Sequence, residues 1–99
     1  MPKIYEYFGL IFFFYSNDYL PLHVHVKQGE KESKFILHYK DGILQDINHS
    51  FGRNPLNARH QKICIKFVKK YHRQIAAKWH EFFVLHKTPV CRKIKRKLK

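Results

Sequence analysis

Ninety-nine residues permit one small domain with one core, which rules out a (β/α)₈ barrel, a two-domain dehydrogenase or a kinase. Hydrophobic residues at 44% suit a folded globule, while a net charge of +13 and a pI near 10 speak to partners rather than to fold. That charge is asymmetric: residues 1–55 hold six basic and six acidic side chains, and residues 56–99 hold fourteen basic side chains against one acid, Glu81.

Ile4–Phe8 is rich in aromatic and β-forming residues and reads as a strand. Gly9 interrupts it as a bulge, a bend or a hairpin turn, and Leu10–Tyr15 resumes the pattern. The apolar run Phe8–Tyr15 is far short of the roughly 20 residues of a membrane span, and no small-x-small cleavage site follows it, so it reads as strand. Ser16-Asn17-Asp18 is a turn cluster, and Pro21 marks the approach to the next strand. Leu22-His23-Val24-His25-Val26 alternates with period two, which places both histidines on one face and the aliphatic side chains on the other. Gly29 closes that strand. Ser33–Tyr39 alternates again, Asp41-Gly42 signals a hairpin, Ile43–Ile47 forms a short strand, and Asn48–Asn57 reads as loop.

The period then changes. Ile65, Val68, Tyr71, Ile75, Trp79, Phe82 and His86 recur at three- and four-residue steps, so Ala58 to about Lys87 is helical, with Asn57 as N-cap. Such a helix is long for so small a domain, and a break near His72–Ala76 would make it two. Thr88-Pro89 ends it, and a basic tail follows. The expected architecture is α+β: a curved antiparallel sheet of four or five strands followed by one long or two shorter helices packed on it. The chain divides as a single domain, 1–99, with a neutral β part (1–55), a basic helical part (56–87) and a basic tail (88–99). Cys64 and Cys91 show no CxxC spacing and read as two reduced thiols of a cytoplasmic protein.

His23-x-His25 is the first candidate for chemistry, since imidazoles at i and i+2 of a strand share a face. With Glu30 it completes HxHxxxxE, half of a cupin metal motif, but the flanking glycines and the second motif are missing. A third well-placed ligand is not evident, so neither a metal nor another cofactor is expected. Acid–base work without metal needs a proton acceptor, a proton donor and a cation for the phosphate. His23 and His25, with Tyr15 and Asp18 and with Tyr39 or Arg53 nearby, supply those types. The bland alternative is a pair of histidines on the polar face of a half-exposed strand, or histidines forming hydrogen bonds in a small cleft. His80-Glu81 begins a zincin-like string, yet the next histidine is His86 rather than the residue at i+4.

The cationic half is the firmer signal. Lys62, Lys66, Lys69, Lys70, Arg73 and Lys78 lie mostly off the apolar stripe, and Arg92, Lys93, Lys95 and Arg96 extend the charge into the tail. Together they form a phosphate-attracting surface.

Met1-Pro2-Lys3-Ile4, Gly9 between aromatic runs, Phe14-Tyr15-Ser16-Asn17-Asp18 and Pro21-Leu22-His23-Val24-His25-Val26 resemble a family of small uncharacterised bacterial domains. Its pattern reads M-P-x-I, F-x-G, Y-S-x-D/E-H-x-P-P-H-V/F-H-V, and His72-Arg73 with Trp79 resembles its H-R-E-E-L-x-x-x-W helix. The resemblance implies a partner chain in a toxin–antitoxin-like pair. Tyr19 stands where many relatives have His, Leu22 where they have Pro, and Gln74, Ala76 and Ala77 where they are acidic.

These readings converge on a small basic protein that binds RNA, DNA or an acidic cognate protein, with RNA ahead of DNA. A metal-independent ribonuclease is its enzymatic form, and a non-catalytic interaction module with structural histidines is the rival. No membrane span is expected, and self-association into a homo-oligomer stays open.

Overall fold

The computed structural model describes residues 2–52 and 54–98. Among them run β1 (Lys3–Tyr7), β2 (Leu10–Phe13), β3 (His23–Gln28), β4 (Lys31–Lys40), β5 (Ile43–Phe51), α1 (Ala58–Phe83) and β6 (Arg92–Ile94). The strands make one six-stranded sheet in the order β5-β4-β3-β2-β1-β6. β1 to β5 form an antiparallel meander, and β6 returns after α1 to pair parallel with β1. The class is α+β as expected, with one helix, but the sheet has six strands rather than four or five. β6 escapes a pattern search because three residues, Arg-Lys-Ile, are too few to show alternation.

Turn chemistry fixes the register. Phe8 and Gly9 have φ of 45° and 84°, and Asp41 and Gly42 have 53° and 79°. Two consecutive left-handed residues are the two-residue hairpin turn whose twist matches the flanking strands. Gly9 therefore marks a hairpin, not a bulge or a bend. β5 is longer than expected, since Asn48 to Phe51 continue the ladder with β4 instead of opening the predicted loop. Polar side chains are tolerated there because β5 is an edge strand.

α1 packs on the face that carries Phe12, Val24, Val26, Phe35 and Leu37. Asn57 caps it, its side-chain oxygen accepting from the His60 N–H at 2.8 Å. Its buried residues are Gln61, Cys64, Phe67, Val68, Ile75 and Trp79, a stripe shifted from the expected one toward Cys64 and Phe67. The helix is kinked at Tyr71, where φ −108° and ψ 15° depart from helical geometry, one residue before the expected break at His72–Ala76. The helix ends at Phe83, four residues early, and His86 sits beyond it with φ of 56°. Phe67 is the hub, its ring centroid 4.4 Å from Phe12, 5.2 Å from Tyr7 and 5.3 Å from Tyr5.

The basic tail is docked. Ile94 and Leu98 pack against the core, and the Leu98 N–H donates to the Tyr7 hydroxyl at 3.0 Å. The Lys78 ammonium donates to the Val90 carbonyl at 2.7 Å, pinning the approach to β6.

The two cysteines are free and sit in different worlds. Cys64 is fully buried, and burial pushes its thiol up to about 12, whereas Cys91 is exposed. Since the thiolate is the nucleophile, a disulfide reagent at pH 8 is expected to titrate one thiol promptly and the second only when the chain unfolds. Two equally fast thiols would mean that α1 is not seated on the sheet.

Candidate functional site

β3 presents His23 and His25 with one parity, and register sets His25 beside Lys34 of β4 and Phe13 of β2. The Ser16–Leu22 loop then folds back over them. The Tyr15 N–H donates to Asp18 Oδ2 at 2.8 Å and the Asp18 N–H to the Tyr15 carbonyl at 3.1 Å, so the aspartate clamps its own loop. Its carboxylate consequently faces both rings: Oδ1 lies 3.2 Å from His23 Nε2, and Oδ2 lies 3.2 Å from His25 Nε2. His23 and His25 are only 7% and 8% exposed, which corrects the picture of histidines on a half-exposed strand face. Phe13 stacks on the His25 ring and Trp79 meets the His23 ring edge-on.

Second contacts orient the rings. His23 Nδ1–H donates to the Pro21 carbonyl at 2.7 Å. His25 Nδ1 faces Glu32 Oε2 at 3.7 Å, and the Tyr15 hydroxyl donates to Glu32 Oε1 at 2.7 Å. Burial, with the hydrogen bond to Glu32, pushes the Tyr15 phenol up to about 12. Burial also lowers the affinity of His25 for a proton, against the pull of Asp18.

The structure thus brings Tyr15, Asp18, His23 and His25 together and adds Glu32. The sequence motif pointed to Glu30, but Glu30 is exposed in the β3–β4 turn. A two-residue turn at Gly29-Glu30 pairs Lys27 with Glu32, which puts Glu32 diagonally beside His25. That alternation was the available signal. Tyr39 is not part of the cluster, since its hydroxyl lies 2.7 Å from His72 Nδ1 on α1. Arg53 lies outside the described residues. The expectation that no third ligand stands near the HxH pair is corrected by Asp18, carried in by a loop rather than by strand spacing. The cluster opens to solvent through a cleft of about 270 Å³ that Tyr19, Pro21 and Lys34 also line.

The basic residues divide by role. Lys62, Lys66, Lys69, Lys70 and Arg73 are exposed on α1, as are Arg92, Lys95 and Arg96 in the C-terminal segment. Lys78 is half-buried and engaged with Val90, and Lys93 lies 3.4 Å from Glu6. A groove of about 450 Å³ separates the first half of α1 from the β1–β2 turn and the C-terminal segment. Arg59, Lys66 and Lys97 line it together with Phe8, which is 55% exposed. Arg59 and Lys97 were absent from the expected set. Arg59 was legible, because 59, 62, 66, 69 and 73 follow one another at helical steps along a single face.

The two regions lie apart. The groove sits at the Phe8-Gly9 turn and Arg59, while the histidine cluster meets Trp79, twenty residues or about 30 Å further along the helix. Among the described residues no helix is long and apolar enough to cross a membrane.

The chain belongs to a family described as a domain of unknown function (DUF4160), whose model matches residues 9–80. That span covers all five residues of the cluster and leaves β6 outside. No curated protein and no solved structure matches the chain.

Proposed function

We propose that this protein binds a single-stranded polyanion, RNA ahead of DNA, across the cationic face of α1 and the groove beside it. The observation that carries this reading is the groove itself. It combines Arg59, Lys66 and Lys97 with the exposed ring of Phe8, and among the described residues no carboxylate lines it. Cations that track phosphates next to an aromatic surface for base stacking are the usual means of holding a single strand. The neighbouring charges of α1 repel one another, and a phosphate backbone relieves that repulsion.

Cleavage by the histidines without metal draws less support. Both Nε2 atoms aim at one carboxylate rather than flanking a gap where a phosphodiester would sit, and Lys34 is the one cation lining their cleft among the described residues. The protein is therefore read as a binding module at its helical face.

Phosphate contacts release counterions, so the logarithm of affinity should fall with the logarithm of salt by about 0.7 per contact on a single strand. With roughly five contacts, affinity for a fluorescent RNA oligomer is expected to drop about a hundredfold between 50 and 200 mM salt. Sequence preference should be slight, since phosphate contacts carry no sequence information. Absence of binding at 50 mM salt, or binding indifferent to salt, would overturn the reading and leave an acidic protein as the partner.

A further inference from the structure

Four imidazole nitrogens meet four oxygens in the cluster. His23 Nδ1 faces the Pro21 carbonyl, His25 Nδ1 faces Glu32, and both Nε2 atoms face the Asp18 carboxylate. All four oxygens are acceptors, yet two neutral imidazoles carry only two N–H groups. The 2.7 Å contact to Pro21 fixes one proton on His23 Nδ1, which leaves the His23 Nε2 lone pair pointing at Asp18. His25 Nδ1 lies 3.7 Å from Glu32, beyond hydrogen-bond reach, so the other proton sits on His25 Nε2, which bonds Asp18. The His23 Nε2 lone pair and the Asp18 carboxylate, 3.2 Å apart, then repel one another unless a cation stands between them. The proton on His25 leaves that repulsion unrelieved.

We propose that Asp18, His23 and His25 hold a divalent first-row transition ion, with Zn²⁺ as the probe species, between Nε2 of each ring and the carboxylate. Bonds of about 2.0–2.1 Å to nitrogen and oxygen put tetrahedral ligand atoms about 3.3 Å apart. Asp18 Oδ1 lies 3.2 Å from His23 Nε2 and 3.4 Å from His25 Nε2. All three ligand atoms lie within 4.8 Å of one another, so drawing the widest pair onto one ion takes a movement of roughly 1 Å.

The outer contacts match the same assignment. Metal-bound histidines donate their other ring N–H to a carbonyl or a carboxylate, which fixes tautomer and orientation. Pro21 does this for His23, and the Glu32 carboxylate, itself held by the Tyr15 hydroxyl, stands 3.7 Å from His25 Nδ1, where a shift of under about 1 Å would let it do the same. The donor set has nitrogen and oxygen and no thiolate, which suits Zn²⁺, Fe²⁺ or Co²⁺ and disfavours Mg²⁺ and Ca²⁺. Three protein ligands beneath an open cleft leave a coordination position for water or a substrate atom, the arrangement of reactive rather than structural sites. This inference is independent of the polyanion groove, which lies at the other end of α1.

The test is a titration of the untagged, chelator-treated full chain with Zn²⁺ and Co²⁺ by calorimetry and visible absorption, with circular dichroism as the check on folding. One ion per chain is expected, with Co²⁺ giving d–d bands and nitrogen-15 NMR showing that two Nε2 atoms change and that both Nδ1 atoms carry the proton in the loaded chain. Asp18→Asn should abolish the stoichiometric site, and Glu32→Gln should weaken it about tenfold to a hundredfold, as losing an outer partner does. The NMR readout on the wild-type chain keeps the question decidable if a variant fails to fold. No stoichiometric binding by the folded wild type would overturn the assignment. So would binding that survives Asp18→Asn, or that perturbs surface histidines such as His80 or His86 instead of His23 and His25.

Discussion

Reversing Lys66, Lys69 and Arg73 to Glu together is expected to weaken RNA binding by about a hundredfold or more at 50 mM salt and to flatten its salt dependence by about two log units per log unit. The three side chains lie on one exposed face of α1, and Lys66 also lines the groove. Each reversal removes a phosphate contact and installs a repulsive charge, so the net charge falls from +13 by six to +7. None of the three side chains is buried, and surface substitutions away from caps and networks usually change stability by less than about 0.5 kcal/mol each. A loss of binding with an unchanged melting curve therefore reports on the surface and not on the fold. Retained affinity would show that the anion goes elsewhere. Arg59→Glu with Phe8→Ser separates the groove from the rest of the face: losing both should abolish discrimination between single and double strands, because stacking favours unpaired bases.

The fold was legible where local chemistry dictates it. Asp41-Gly42 announces a left-handed turn, the Leu22–Val26 alternation announces β3, and Asn57 announces the start of α1. What was not legible depends on partners distant in sequence. Asn48 to Phe51 become strand because β4 offers a ladder, and Arg92–Ile94 become strand because β1 has a free edge. Neither segment carries a pattern of its own. The helical stripe likewise depends on the opposite surface, where Phe67 packs against Phe12 and Tyr5.

The same divide runs through the candidate site. Period two put His23 and His25 on one face, which their separation in sequence suffices to show. It could not show that the second face of β3 is covered, and that coverage by Phe13, Tyr15 and the Ser16–Leu22 loop is what buries the histidines. Asp18 reaches them through a loop clamp, and Glu32 through the register of a hairpin. Loop closure and register are three-dimensional facts, so the composition of the site was visible while its geometry was not. Buried and interlocked, His23 and His25 cannot be replaced as freely as exposed strand residues, and conservative changes at Asp18 and Glu32 are the better probes.

Deleting residues 92–99 is expected to cost about 2–4 kcal/mol, because it strips the half-buried Ile94 and Leu98 from the core and removes a strand's hydrogen bonds. Read as a free tail, the segment would be dispensable for folding. Docked, it covers the edge of β1, satisfies the Tyr7 hydroxyl and closes the groove with Lys97. A domain of this size has a total stability of about 5–15 kcal/mol, so the truncated chain keeps its fold with a narrow margin. At about 4–8 °C per kcal/mol, its melting temperature should fall by about 8–32 °C. The exposed edge of β1 should also pair between chains, which light scattering during the melt would detect. Charge and structure separate in a second variant, Lys95, Arg96 and Lys97 to Ser, which keeps Ile94 and Leu98. It should melt within a few degrees of the wild type while losing about tenfold or more in RNA affinity at 50 mM salt. Equal melting temperatures for the truncated and full-length chains would return the segment to the status of a free basic tail and remove Lys97 from the groove.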